Sequence, residues 1–101
     1  MEPSGLTPEI FDKMRAVFQN YTEIDSVVLY GSRAMGNFKK ASDIDISLKG
    51  SKIDSTLQNK IEFDLDDLML PYKFDVSHYN SITNPEFLKH INEVGSEIYK
   101  K

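Results

Sequence analysis

An apolar run stops at a glycine, and two aspartates follow it at a set interval; no other feature constrains the chain as much. Val27-Val28-Leu29-Tyr30 ends on Gly31-Ser32-Arg33, and ten residues separate Ser32 from Asp43-Ile44-Asp45-Ile46-Ser47-Leu48. The pattern predicts a strand, a tight turn, a short connection and a second strand. Side chains alternate across a strand, so Asp43 and Asp45 share one face about 7 Å apart along the chain, while Ile44 and Ile46 face the core. Two carboxylates at that separation can share one divalent cation or bracket a pair of them. The Gly31-Ser32 turn places backbone N–H groups and a hydroxyl beside that position, which suits a phosphate chain.

Composition limits what can surround this unit. With 101 residues, 40% of them hydrophobic, the chain predicts a single folded domain over 1–101. The absence of cysteine excludes disulfides and thiolate metal sites. No apolar run approaches the roughly 18–20 residues of a membrane span, and Met1-Glu2-Pro3-Ser4-Gly5 lacks a basic-then-apolar leader pattern. A cytoplasmic protein is the expectation. The net charge of −4 argues against a direct nucleic-acid ligand but not against a nucleotide, whose charge a metal can offset.

Along the chain, Thr7-Pro8-Glu9 predicts a helix start, with Ile10, Met14, Val17, Phe18 and Tyr21 forming one buried stripe. Ser26 to Tyr30 reads as a continuous β-branched and apolar run, as in a strand covered on both faces. Ile53, Leu57, Ile61, Leu65, Leu68 and Met69 predict the longest helix, ended by Pro71. Tyr72 to Tyr79 predicts a third strand carrying Asp75 between Phe74 and Val76. Asn84-Pro85-Glu86 opens a last helix with Phe87, Leu88, Ile91 and Val94 on its face and a stop at Gly95. Ser96 to Tyr99 fits either a short strand or an extended tail. The economical packing is α+β: a small mixed three-stranded sheet with helices on one face.

Aspartate is a poor strand former, yet Asp43, Asp45 and Asp75 interrupt apolar strands. If those strands are neighbours, the three like charges are costly without a cation. The donor set is that of a hard ion such as Mg²⁺.

Gly31-Ser32, ten residues and Asp43-x-Asp45, with Asp75 on a later strand, resembles the signature of the DNA polymerase β-like nucleotidyltransferase superfamily. The size of the chain, Leu29-Tyr30-Gly31-Ser32-Arg33-Ala34, Phe74-Asp75-Val76 and the closing Ile91-Asn92-Glu93-Val94-Gly95 resemble the minimal nucleotidyltransferases, the MNT-domain antitoxins paired with HEPN toxins. The resemblance implies that Asp43, Asp45 and Asp75 are catalytic and hold Mg²⁺, with two ions expected. It implies that Gly31 and Ser32 hold the β- and γ-phosphates of ATP or another NTP, and Arg33 is read as a further phosphate contact. It also implies transfer of a nucleoside monophosphate to a hydroxyl on a HEPN partner.

One position departs from the pattern. Gly-Ser-Arg-Ala-Arg-Gly is usual, and Met35 stands at the fifth place, where an arginine would chelate phosphate bidentately. The alternative reading is therefore a catalytically weak nucleotide-binding module that neutralises a HEPN partner by complex formation. A chain of this length has no residues for a separate acceptor-binding domain, so a partner or a homo-oligomer is expected. Other residues take plainer readings: Lys39 and Lys40 as a solvated loop pair, His78 at a core edge or on the surface, His90 on the exposed flank of the last helix. Asp64, Asp66 and Asp67 read as an acidic helix face, and Phe11, Phe18 and Phe63 as core.

Overall fold

The computed structural model describes residues 4–101. Helix α1 (Pro8–Phe18) leads to strand β1 (Ser26–Tyr30), a single-turn helix α2 (Gly31–Met35) and strand β2 (Ile44–Lys49). Helix α3 (Ser55–Asp66), strand β3 (Phe74–His78), a 3₁₀ turn (Tyr79–Ser81), helix α4 (Pro85–Val94) and strand β4 (Ser96–Lys100) complete it.

The helix starts follow their caps. The Thr7 hydroxyl accepts from the Ile10 N–H at 3.3 Å with Pro8 in the first turn, and the Asp54 carboxylate accepts from Leu57 N–H at 2.8 Å. Asn84 accepts from the N–H groups of Glu86 and Phe87. Helix α3 is shorter than its apolar periodicity suggested. It stops at Asp66, and Met69 turns the chain at φ 59° before Pro71. Phe63 is 69% exposed rather than core, since it lies two residues from both Ile61 and Leu65, about 200° around the helix from each.

The sheet has four strands in the order β3-β2-β1-β4, where three were expected. The fourth is Ser96–Lys100, antiparallel to β1 with a register shift between Val27 and Val28. The segment gave little warning because only Ile98 along it is buried, so no full alternation marks it. β1 also pairs antiparallel with β2, and β2 pairs parallel with β3 through the α3 crossover.

Helices cover both faces, which corrects the expected one-sided packing. Met14 and Phe18 of α1 and Ile61 and Leu65 of α3 pack on Val27, Leu29, Ile44, Ile46, Leu48, Phe74 and Val76. On the other face Ile91 of α4, with Phe87 and Val94, packs on Val28 and Tyr30. The unbroken apolar run of β1 required this, because successive residues point to opposite sides and both must be dry.

Candidate active site

The strand register assembles the site. Tyr30 pairs with Asp45 across β1 and β2, and Asp45 pairs with Asp75 across β2 and β3. Asp45 and Asp75 are thus side-by-side neighbours on adjacent strands, on the face that α4 partly covers. Asp43 precedes β2 with the same parity as Asp45. Twenty-nine residues of sequence separate Asp45 from Asp75, and the parallel pairing brings them together. Asp43 and Asp75 are exposed and Asp45 is half-buried.

Gly31 ties the phosphate-turn candidate to these carboxylates. Its φ of 75° reverses the chain at the end of β1, and an added Cβ there would overlap the Asp45 carboxylate. Ser32 follows in the first turn of α2, half-buried, and Gly36 closes that helix in the left-handed region at φ 82°. The structure therefore brings together Gly31, Ser32, Asp43, Asp45 and Asp75.

Arg33 lies elsewhere, which corrects its reading as a phosphate contact. It is 2% exposed, and its guanidinium donates to the carbonyl oxygens of Ser4, Lys40 and Ser42. Met35, at 49% exposure, presents no donor, and Lys39 and Lys40 are exposed in the loop. His78 bridges the Gly50 carbonyl and the Ser81 hydroxyl, each at 2.8 Å, in a structural role. Asp64 accepts from the Tyr21 hydroxyl, a bond that, together with burial, pushes Tyr21 up to about 12.

Three features of the site escaped the sequence reading. His90 packs edge-on against Tyr30 with ring centroids 6.0 Å apart, close enough to Asp45 to favour its charged form. A signal existed: His90 is three residues after Phe87 and four before Val94, on the inner stripe of α4. A hydroxyl row also runs along the same face of the sheet, with Ser77 Oγ 2.9 Å from the fully buried Ser47 Oγ and 3.5 Å from Tyr30 Oη. Glu62 of α3 lies close enough to Asp75 to feel its charge; burial first, then Asp66 and Asp75, raise its pKa.

Electrostatics single out Asp45. Burial, then the Asp75 carboxylate, then that of Asp43 push its pKa up to about 6, against the opposing pull of His90 and Arg33. Burial also raises the Tyr30 hydroxyl, partly offset by its bond to Ser77, with Asp75 and Asp45 adding to the rise. Tyr30 therefore stays a neutral hydroxyl at pH 7.

The sign of the Asp45 shift yields a prediction. A raised folded pKa means the native state binds the proton more tightly than the unfolded chain does. The stabilisation is full below the unfolded value near 4 and is lost as pH rises through about 6. Discounted for solvent screening, the loss is about 1 kcal/mol by neutral pH. Denaturant unfolding without divalent cation should show wild type falling relative to Asp45→Asn by that amount between about pH 4 and pH 7. A constant difference across that range would refute the assignment.

The donor set fits a hard divalent cation. Among the described residues, none of Asp43, Asp45 and Asp75 makes an ion pair with lysine or arginine, and no three acidic or imidazole side chains are drawn in around a common point. The carboxylates instead share one face, with their repulsion only partly offset by His90 and Arg33. An ion of Mg²⁺ type, which takes a few carboxylates and completes its shell with water and phosphate oxygens, suits that arrangement.

A mixed sheet with a glycine-serine turn facing paired strand aspartates defines the nucleotidyltransferase class of fold. The family model described as polymerase beta, nucleotidyltransferase, matches residues 12–101, and the chain belongs to that family. No curated protein matches the sequence. Among solved structures, the chain is similar to a toxin–antitoxin complex crystallised with AMP-PNP, at TM-score 0.75 and 16% identity over 90% of this chain and 73% of that one. It is similar to the complex of a tri-AMPylated Shewanella oneidensis HEPN toxin with its MNT antitoxin, at TM-score 0.69 and 15% identity over 92% and 71%. A third is a putative nucleotidyltransferase from Sulfolobus solfataricus, at TM-score 0.51 and 14% identity over 96% and 92%. At these identities the likeness establishes the fold. Among the described residues, no helix is long and apolar enough to cross a membrane.

Proposed function

We propose that this chain is a Mg²⁺-dependent nucleotidyltransferase that moves AMP from ATP to a hydroxyl of a HEPN-domain toxin and thereby acts as a cytoplasmic antitoxin. The observation carrying the reading is the Asp45–Asp75 register pair, with Asp43 beside it, facing the Gly31-Ser32 turn. Two of the similar structures are complexes whose descriptions name a toxin and antitoxin, one with AMP-PNP and one with an AMPylated HEPN toxin, and the proposal extends those partners to this chain.

The residues divide the work. Asp43, Asp45 and Asp75 would hold Mg²⁺, which when bound would neutralise the triphosphate and stabilise the attacking and leaving oxygens. The Gly31 and Ser32 N–H groups and the Ser32 hydroxyl orient the β- and γ-phosphates. Asp75, the more exposed of the paired carboxylates, takes the proton of the acceptor hydroxyl. The acceptor oxygen then bonds to the α-phosphorus as the α–β bridging bond breaks, and pyrophosphate leaves. Positioning and charge stabilisation supply the catalysis.

The second reading, a weak nucleotide-binding module that masks its partner, is favoured by a specific observation. Met35 cannot chelate phosphate, and Arg33 is committed to carbonyls, so α2 offers no arginine to the triphosphate. One experiment separates the two. Titrating ATP calorimetrically with and without Mg²⁺ should give metal-dependent binding that Asp43→Asn weakens at least about tenfold. Incubation with the partner should add an adenylyl increment to the partner's mass with wild type alone. Equal neutralisation of the partner by wild type and Asp43→Asn would establish the masking module instead.

A further inference from the structure

Arg33 is a charged side chain that the chemistry proposed above does not use, yet among the polar and charged residues with fully buried side chains it is the largest. Its guanidinium has no carboxylate partner among the described residues. Nε and Nη2 donate to the single carbonyl oxygen of Ser42 at 3.1 and 3.0 Å, Nη1 donates to Ser4 O at 2.9 Å, and Nη2 also reaches Lys40 O at 3.4 Å. The guanidinium carbon lies 5.0 Å from the Phe38 ring centroid and 4.7 Å from that of Tyr72. A buried cation held by neutral carbonyls and two aromatic rings is expensive to desolvate, and its fork geometry rather than a charge partner is what the surroundings use.

The placement of the fork matters. The Ser42 carbonyl belongs to the peptide that joins Ser42 to Asp43, so two hydrogen bonds converging on its oxygen anchor the peptide from which Asp43 departs. The connection from α2 to β2 is otherwise lightly held: Asn37, Lys39, Lys40, Ala41 and Asp43 are exposed, and a local turn links Lys39 with Ser42. Arg33 also sits two residues after Gly31 in the same single-turn helix. It therefore joins the two halves of the site, the phosphate turn and the loop that delivers the first aspartate.

We propose that Arg33 is a positioning residue for Asp43, locking the Ser42–Asp43 peptide so that this carboxylate stands beside Asp45 for metal binding. The inference rests on the carboxylate site proposed above. Lysine in its place keeps a positive charge but loses the paired donors, so Arg33→Lys isolates the fork.

The test is a double-mutant cycle on Mn²⁺ affinity, with Mn²⁺ alone as the probe, using Arg33→Lys, Asp43→Asn and the double variant. Arg33→Lys is expected to weaken Mn²⁺ binding about tenfold in the wild-type background and to change it little once Asp43 is already asparagine. Amide exchange at Ser42, whose N–H donates to the Lys39 carbonyl in the turn that Arg33 anchors, should accelerate in Arg33→Lys in both backgrounds. An equal loss of affinity in both backgrounds, or none in either, overturns the positioning role. An Asp43→Asn variant that binds Mn²⁺ as wild type does overturns the site itself, a result distinct from the other two. Should Arg33→Lys melt below the assay temperature, Tyr72→Leu, which removes a stacking ring and none of the hydrogen bonds, takes its place with a smaller loss of the same background dependence.

Discussion

Asparagine in place of Asp45 is expected to stop nucleotidyl transfer and, in the same protein, to raise the melting temperature of the metal-free state. The carboxylate is half-buried and lies next to Asp75 in register, and its raised pKa shows that the apo fold opposes its charge. Removing the charge relieves about 1 kcal/mol of repulsion and desolvation at neutral pH, or roughly 4 °C or more for a domain this small. The same change deletes a carboxylate of the proposed metal site, which should cost about 10³-fold or more in transfer rate. Thermal melts in chelator beside a transfer assay in Mg²⁺ check both halves. A variant that is inactive but less stable than wild type would mean that Asp45 is mainly a structural residue.

Alanine at Gly31 is expected to damage stability and ligand binding together. The backbone there has φ 75°, which costs an L side chain about 1 kcal/mol, and the new methyl group would occupy space held by the Asp45 carboxylate. Either the turn or the carboxylate must move. Taken together, a loss of about 2–3 kcal/mol in unfolding free energy is expected, with metal-dependent ATP binding weakened at least about tenfold. Gly36→Ala is the control, because Gly36 shares the positive φ (82°) at the exposed C-cap of α2. If both variants lose the same stability and the same binding, backbone strain alone explains Gly31, and its closeness to Asp45 has no functional meaning.

Much of this could be read from residue order because the relevant signals are local. Thr7, Asp54 and Asn84 sit immediately before the helices they cap, and Ile44 and Ile46 alternate with Asp43 and Asp45 within one strand. The sharing of one face by those two aspartates follows from strand geometry alone. What was not legible depended on distant pairings. Ser96–Lys100 becomes a strand only because β1 offers it an edge, and its own single buried residue says little. The second covered face was implied by the apolar run from Val27 to Tyr30, although a one-sided packing was expected from the number of elements.

Arg33 shows the limit differently. An arginine following Gly-Ser invites a phosphate reading, because nothing nearby in sequence shows that Phe38, Tyr72 and the Ser4 carbonyl will enclose it. His90 was misplaced for the opposite reason. Its polarity suggested solvent, whereas its spacing from Phe87 and Val94 already put it on the inner stripe of α4.

The parallel pairing of β2 with β3 also bears on the order in which the molecule folds. A β1–β2 hairpin closes over a short stretch of chain, but the contact that sets Asp45 beside Asp75 must wait for α3 to cross over, and β1 gains its second neighbour about 70 residues after it begins. Non-local pairings of this kind slow folding, because chain entropy is lost before the contacts that repay it form. Until β4 docks, an apolar strand shows an open edge to other chains. The closing of the parallel pair is also the moment at which two like charges meet. A divalent cation that binds only the closed arrangement would therefore act as a folding ligand, drawing the equilibrium toward the native state in proportion to its free concentration. A newly made chain would then hold its native state more firmly, and unfold more slowly, where that cation is plentiful.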